Sequence, residues 1–250
     1  MVPEIDTFRE KFNNYTDYYT IIGGTACDIL LSEADLSFRA TNDIDMILIM
    51  EDNFPEFASV FWEYIKEGGY RCGWKNDDNM HFYRFTEGKL GYPTRIELFS
   101  RKTGYHLEVE EGIIPLYIDD DTSSLSAILL NDDFYNFMMS GRKVVDGIGV
   151  LGVEHLIPFK MYAWINLVDR KVSGEHVNEK DIKKHKYDVF RLLQIVTAGT
   201  RVESSGLVKE SIHKFIDDIS VLDASEIQLL QMRLPFDRDQ GVELLRGIYL

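Results

Sequence analysis

Two carboxylates, two residues apart, open an apolar stretch of this 250-residue chain: Asp43-Ile44-Asp45, then Met46-Ile47-Leu48-Ile49-Met50. The run predicts a strand. Side chains alternate faces along a strand, so Asp43 and Asp45 share one face and Ile44 and Met46 the other. Carboxylates that close repel each other unless positive charge sits between them. A divalent cation meets that need. Mg2+ (or Mn2+) takes hard oxygen ligands, commonly one or two carboxylates plus the phosphates of a substrate. The competing reading of an Asp-x-Asp pair alone is a solvated strand start.

A third acid stands in a second strand pattern, Arg95-Ile96-Glu97-Leu98-Phe99. If that strand lies beside the first, Glu97 completes a three-carboxylate cage for two metal ions. Two ions can hold the attacking and the leaving oxygen of a phosphoryl displacement. The alternative is that Glu97 turns outward and pairs with Arg84 or Arg95. Upstream, Ile21-Ile22-Gly23-Gly24-Thr25-Ala26 joins a strand to a helix. Backbone amides at a helix start suit phosphate, and glycine permits close approach. Thr25 could cap the helix or bond a phosphate oxygen. No Lys follows in the P-loop pattern, so this is not that motif.

These residues need elements to hold them. Tyr18 to Ile22 reads as a buried strand and Thr25 to Glu33 as a helix. Glu56 to Glu67 carries Phe57, Val60, Phe61, Tyr64 and Ile65 at helical steps. His81 to Phe85 and Thr94 to Phe99 predict two strands. Ile113 to Ile118 and Ser126 to Leu130 are weaker strand candidates, Phe134 to Met139 a short helix, and Gly147 to Gly152 a turn or short strand. From about residue 153 the pattern is helical, with segments near 154–171, 179–197, 205–219, 224–233 and 239–248. The expected organisation is an α/β part over residues 1–150 and a helical part over residues 151–250.

Bulk properties narrow the class. The hydrophobic fraction is 45% and the charged fraction 28%, ordinary for a globular chain. No apolar run approaches the roughly 20 residues of a membrane span. The N-terminal residues MVPEIDTFREKF are mixed and acidic, unlike a signal peptide. The expectation is a cytoplasmic protein with no membrane partner, and with Cys27 and Cys72 reduced. The formal net charge of −15 argues against general nucleic-acid binding and would suit cationic substrates.

In combination, Gly23-Gly24-Thr25, then Asp43 and Asp45, then Glu97 resemble the nucleotidyltransferase fold of the DNA polymerase β superfamily. More narrowly, IIGGTACDILL followed by FRATNDIDMIL resembles the AbiEii/AbiGii toxin family of bacterial nucleotidyltransferase-like proteins. That family shows Gly-Gly-Thr-Ala and then Arg-x-Thr/Ser-x-Asp-x-Asp, here Arg39 to Asp45. Further on it carries a helix with a Lys and an Arg, matched by Glu154 to Lys160 continuing to Arg170. A basic segment ending in Asp follows, matched by Lys183-Lys184-His185-Lys186-Tyr187-Asp188. The resemblance covers residues 20–50 and 153–193.

The resemblance implies an α/β (α+β) nucleotidyltransferase domain with a mixed sheet, followed by a mainly α-helical C-terminal domain. It implies Mg2+ at Asp43, Asp45 and Glu97, and a nucleoside triphosphate cradled by Gly23, Gly24 and Thr25. Arg39, Lys186 and Asp188 join as binding residues, and Lys160 stabilises the departing pyrophosphate. Lys160, Ala163, Leu167 and Arg170 fall on one helical stripe. Lys160 reads alternatively as a snorkelling surface residue, and Lys183 to Lys186 as a solvated face. Asp188 could orient Lys184 or Lys186. The implied role is the toxin of a toxin–antitoxin or phage-defence pair, acting on GTP or on an RNA such as tRNA or another acceptor, with a cognate antitoxin as partner. Modification of a small molecule such as an antibiotic, and nucleotide binding without turnover, are the competing readings.

Overall fold

Tyr19–Ile22 (β1) is four buried residues in a row, Tyr-Thr-Ile-Ile, as a strand covered on both faces requires. The computed structural model describes residues 4–49, 54–72, 84–101, 113–116, 125–222 and 234–250. In it β1 lies between antiparallel Asp43–Leu48 (β2) and parallel Ile148–Leu151 (β9). β2 pairs in parallel with Arg95–Arg101 (β5), which is joined along its first half by antiparallel Arg84–Thr86 (β4). Arg71–Cys72 (β3) closes that edge. The second half of β5 takes parallel Leu125–Leu130 (β7), itself paired with Ile113–Leu116 (β6). Arg142–Val145 (β8) forms a hairpin with β9. The sheet is therefore mixed, and the fold is α/β with a helical part.

The chain divides into two compact units, Met1–Tyr135 with Arg142–Leu151, and Asn136–Gly141 with Gly152–Leu250. Asp132–Ser140 (α4) starts in the first and ends in the second.

In the first unit, Ile5–Phe12 (α1) and Phe54–Glu67 (α3) cover the sheet face that carries Tyr19 and Phe85. Phe8, Phe12, Tyr19, Phe57, Phe61 and Tyr64 are fully buried there, with ring centroids 4.5 to 6.3 Å apart. Each such ring contributes roughly 1.5–3 kcal/mol by leaving water. Ile44 and Met46 of β2 are buried on this same face. Gly23–Glu33 (α2) runs against β1 and β2. Burying this face leaves Asp43 and Asp45 on the opposite one, so the core dictates where the acids stand.

The second unit is built on Val153–Val172 (α5), Glu179–Leu193 (α6), Gly206–Val221 (α7) and Arg238–Tyr249 (α8). Its core joins Leu156, Ile157 and Met161 to Phe190, Ile212 and Leu245, and Trp164 meets Phe215 edge-on at 5.2 Å. Pro158 lies inside α5 and has no N–H, so the carbonyl of Glu154 loses its helical donor. The hydroxyl of Tyr249 fills the gap, donating to that carbonyl at 2.6 Å. Asn178 caps α6 through the Lys180 amide, and Asp237 with Gln240 makes a capping box for α8.

Several expectations shift. α1 had no counterpart in the sequence reading, which took its residues only as a mixed, acidic start. Its Ile5, Phe8 and Phe12 are buried at helical spacing. The turn or short strand expected over 147–152 is a hairpin with the two-residue turn Asp146-Gly147, both at positive φ (47° and 75°). Asp-Gly is the local signal for that turn. The helix expected over 224–233, residues 81–83 of one predicted strand and residues 117–118 of another lie outside the described residues. Among the described residues no helix is long and apolar enough to cross a membrane.

Candidate functional site

Strand register brings the three predicted acids to one place. Asp45 stands opposite Glu97, and Asp43 opposite Arg95, across the parallel β2–β5 pair. On the next strand Arg84 faces Glu97 and Thr86 faces Arg95. Because partners in register share a face, one row reads Arg84, Glu97, Asp45, Ile22, and its neighbour Thr86, Arg95, Asp43. Three carboxylates and two guanidiniums thus interleave on one patch of sheet.

The glycine turn abuts this patch. Gly23 begins α2 at φ +73°, a conformation natural to glycine, and a Cβ there would overlap the Asp45 carboxylate. A Cβ on Gly24 would lie 2.7 Å from Thr41 Oγ1 and 3.4 Å from a terminal guanidinium nitrogen of Arg39. Arg39 therefore stands at the start of α2, where helix amides and a cation together suit an anion. Its guanidinium also lies 4.7 Å from the Phe38 ring centre. Thr25 is buried, and its hydroxyl donates to the backbone carbonyl of Asp43 at 2.6 Å. It fastens the turn to the acid strand, with Gly23 partly open and Gly24 buried behind it. Cys27, a buried free thiol, bonds the Gly23 carbonyl at 3.1 Å.

The charges are already balanced in part by protein. Arg95 donates to Asp43 at 2.6 Å and has its Nε 3.7 Å from Glu97. Arg84 Nε lies 2.6 Å from Glu97 Oε1. Repulsion between the acids does not by itself demand a metal ion, because guanidiniums supply positive charge. Glu97 stands beside Asp45 across the strand pair and also pairs with Arg84. Among the described residues no group of three or more His, Cys, Asp or Glu side chains stands where it could hold a metal ion. The donor set fits a hard cation in chemical type. It consists of carboxylate oxygens on one face at adjacent registers, with a glycine turn pressed against Asp45.

The second unit holds the other expected residues. Lys160 on α5 is 3% exposed and sits 3.2 Å from Asp188 on α6, which is fully buried. Lys160 is not a snorkelling surface residue, and Asp188 pairs with it. Arg191, one turn on from Asp188, approaches it at 3.6 Å. Lys186 is buried, not part of a solvated face. It lines a cavity of about 920 Å³ with Trp164, Ile182, Lys183, Tyr187 and Lys214.

No family model and no curated relative matches the chain. Among solved structures, the crystal structure of JHP933 from Helicobacter pylori is similar over 97% of this chain and 87% of that one. Sequence identity is 14% and the TM-score 0.40, and no functional residue is carried over from it.

Arg84 and Arg95 are the site residues that the sequence reading did not assign to binding. Their signal was present: Arg95 and Glu97 sit two apart in one strand, which places them on the same face.

Proposed function

We propose that this protein is a Mg2+-dependent nucleotidyltransferase that draws on a nucleoside triphosphate, and that it serves as a toxin acting on RNA or another acceptor. One observation carries the reading. The Gly23-Gly24 helix start is fixed against the Asp43–Asp45 strand, and Glu97 stands in register beside Asp45.

In this reading the amides of Gly23 and Gly24 and the guanidinium of Arg39 hold the triphosphate at the start of α2. Asp43, Asp45 and Glu97 are the ligands for Mg2+, which when bound supplies charge neutralisation for the phosphates and the leaving pyrophosphate. Thr25 keeps turn and strand in fixed relation, so phosphates and carboxylates meet with little reorganisation. The acceptor oxygen attacks the α-phosphorus, the bond to pyrophosphate breaks, and Glu97 would either hold the ion or take the acceptor proton. Lys160 is paired with Asp188 within the second unit.

The Arg95–Asp43 and Arg84–Glu97 pairs favour a second reading, a phosphate-binding protein without turnover. Thermal melting with each of the four triphosphates, with and without Mg2+, tests both. A Mg2+-dependent rise in Tm that disappears in the Asp43→Asn/Asp45→Asn variant is the expected result. A rise of equal size without Mg2+ supports the second reading, and no rise with any triphosphate at millimolar concentration overturns both.

A further inference from the structure

The two arginines on the acid patch have a use that neither reading assigns. Resting on the nucleotidyltransferase reading, we propose that Arg84 and Arg95 are exchangeable counterions. A divalent cation at Asp43, Asp45 and Glu97 displaces them, and the released guanidiniums bind the phosphates of the incoming triphosphate.

Charge favours the exchange. The five side chains carry three negative and two positive charges, an excess of one negative. Adding one divalent cation turns that excess positive, which repels the guanidiniums and attracts an anion. The side chains of Arg84, Arg95 and Asp43 are 35%, 40% and 39% exposed, and Glu97 is 13% exposed. The Arg95–Asp43 pair, open to water on both sides, is held weakly against competitors. A guanidinium does not lose its proton at any physiological pH, so once released from a carboxylate it remains a cation that another anion can take. Its planar fork matches two oxygens of a phosphate as well as two of a carboxylate. Geometry supplies the short path. Each arginine is the register neighbour of an acid, one strand away at about 4.8 Å, so its side chain needs only to change direction on the same face.

The exchange predicts opposite signs for two affinities. Mn2+ binding to the full chain is read by electron paramagnetic resonance. Binding of inorganic triphosphate at saturating Mn2+ is read by calorimetry. The proteins are the wild type, Arg84→Gln, Arg95→Gln and the charge-keeping Arg95→Lys. In both Gln variants Mn2+ should bind about threefold tighter, because a competing counterion has gone. Triphosphate should bind about tenfold weaker, because a charged hydrogen-bond donor has gone. Arg95→Lys should keep wild-type Mn2+ affinity and lose only part of the triphosphate affinity. Unchanged affinities, or two that fall together in a variant with wild-type Tm, overturn the exchange and leave the arginines as fixed braces. Failure of the wild type to bind Mn2+ or triphosphate would sink the nucleotidyltransferase reading itself. Wild-type binding of both, with no opposite shift in the variants, overturns only the exchange.

Discussion

The protein solves the same problem, charge held on regular elements, in two different ways. On the sheet face of the first unit, Arg95–Asp43 is a close pair with both partners partly open to water, and Arg84–Glu97 one in which the arginine is partly open and Glu97 largely covered. In the second unit, Lys160 and Asp188 form a pair sealed almost completely from solvent. An exposed pair gains little net energy because water is nearly as good a partner. A buried pair is costly to assemble, and more costly to break one-sidedly, because the survivor stays charged in a poor solvent. The first arrangement suits charges that change partners with a ligand. The second suits a fixed joint between α5 and α6.

The largest effect that would test this contrast is at the buried pair. Asp188→Ala should lower the stability of the chain by about 3–5 kcal/mol, since Lys160 would be left charged and buried. The double variant Lys160→Met/Asp188→Leu should recover at least half of that loss in urea unfolding. If the single variant unfolds like the wild type, the joint is not structural.

Next in size is Gly23→Ala on the sheet side. Its positive φ and the overlap of a Cβ with Asp45 should cost roughly 1–3 kcal/mol. The same change should abolish the Mg2+-dependent rise in Tm. A variant that keeps both stability and nucleotide response would show that the turn does not need its contact with Asp45.

Asp43→Asn should change stability by less than about 1 kcal/mol despite the 2.6 Å ion pair, because both partners are about 40% exposed. Its effect belongs to ligand binding. A loss as large as that of Asp188→Ala would erase the distinction between the two regions.

The smallest effect is a pH dependence in the second unit. Burial lowers the pKa of His155 below its ordinary 6.5, with Glu154 pulling weakly the other way. The imidazole stays neutral in the folded chain at pH values where the unfolded chain takes up a proton. Its contribution is therefore fully present above about pH 6.5 and lost as pH falls through the lowered value. Comparing Tm at pH 5 and pH 7.5, His155→Gln should show a shallower loss than the wild type. An equal or steeper loss would place the acid sensitivity elsewhere.

Much of the site was legible from local pattern. Alternation along Asp43–Met46 put the two acids on one face, and the apolar run from Met46 to Ile49 showed which part of the strand would be buried. Gly23-Gly24 marked a turn where backbone comes close to something, which proved to be Asp45, Thr41 and Arg39. The helical segments after residue 153 followed from their spacing. Less legible were the partners. For Glu97 the sequence offers Arg84 and Arg95 as partners, on two strands joined through Glu87-Gly88-Lys89, and the antiparallel β4–β5 pair brings both arginines to it. For Asp188 the sequence suggests its near neighbours Lys184 and Lys186, and helix packing adds Lys160, 28 residues away.

The sequence by itself determined the faces: period two on the strands and period three to four on the helices sort side chains into buried and exposed with no long-range information. It therefore set which carboxylates stand together on β2 and which turn precedes them. Only the tertiary structure decided the neighbours. The β2–β5–β4 register sets Arg84 and Arg95 among the acids, the α5–α6 packing seals Lys160 with Asp188, and α8 brings Tyr249 to the carbonyl that Pro158 leaves without a helical donor. The physical reason is that face is a property of one element's own dihedral period, whereas partnership across elements is fixed by burial of the whole apolar surface, to which every residue of the core contributes.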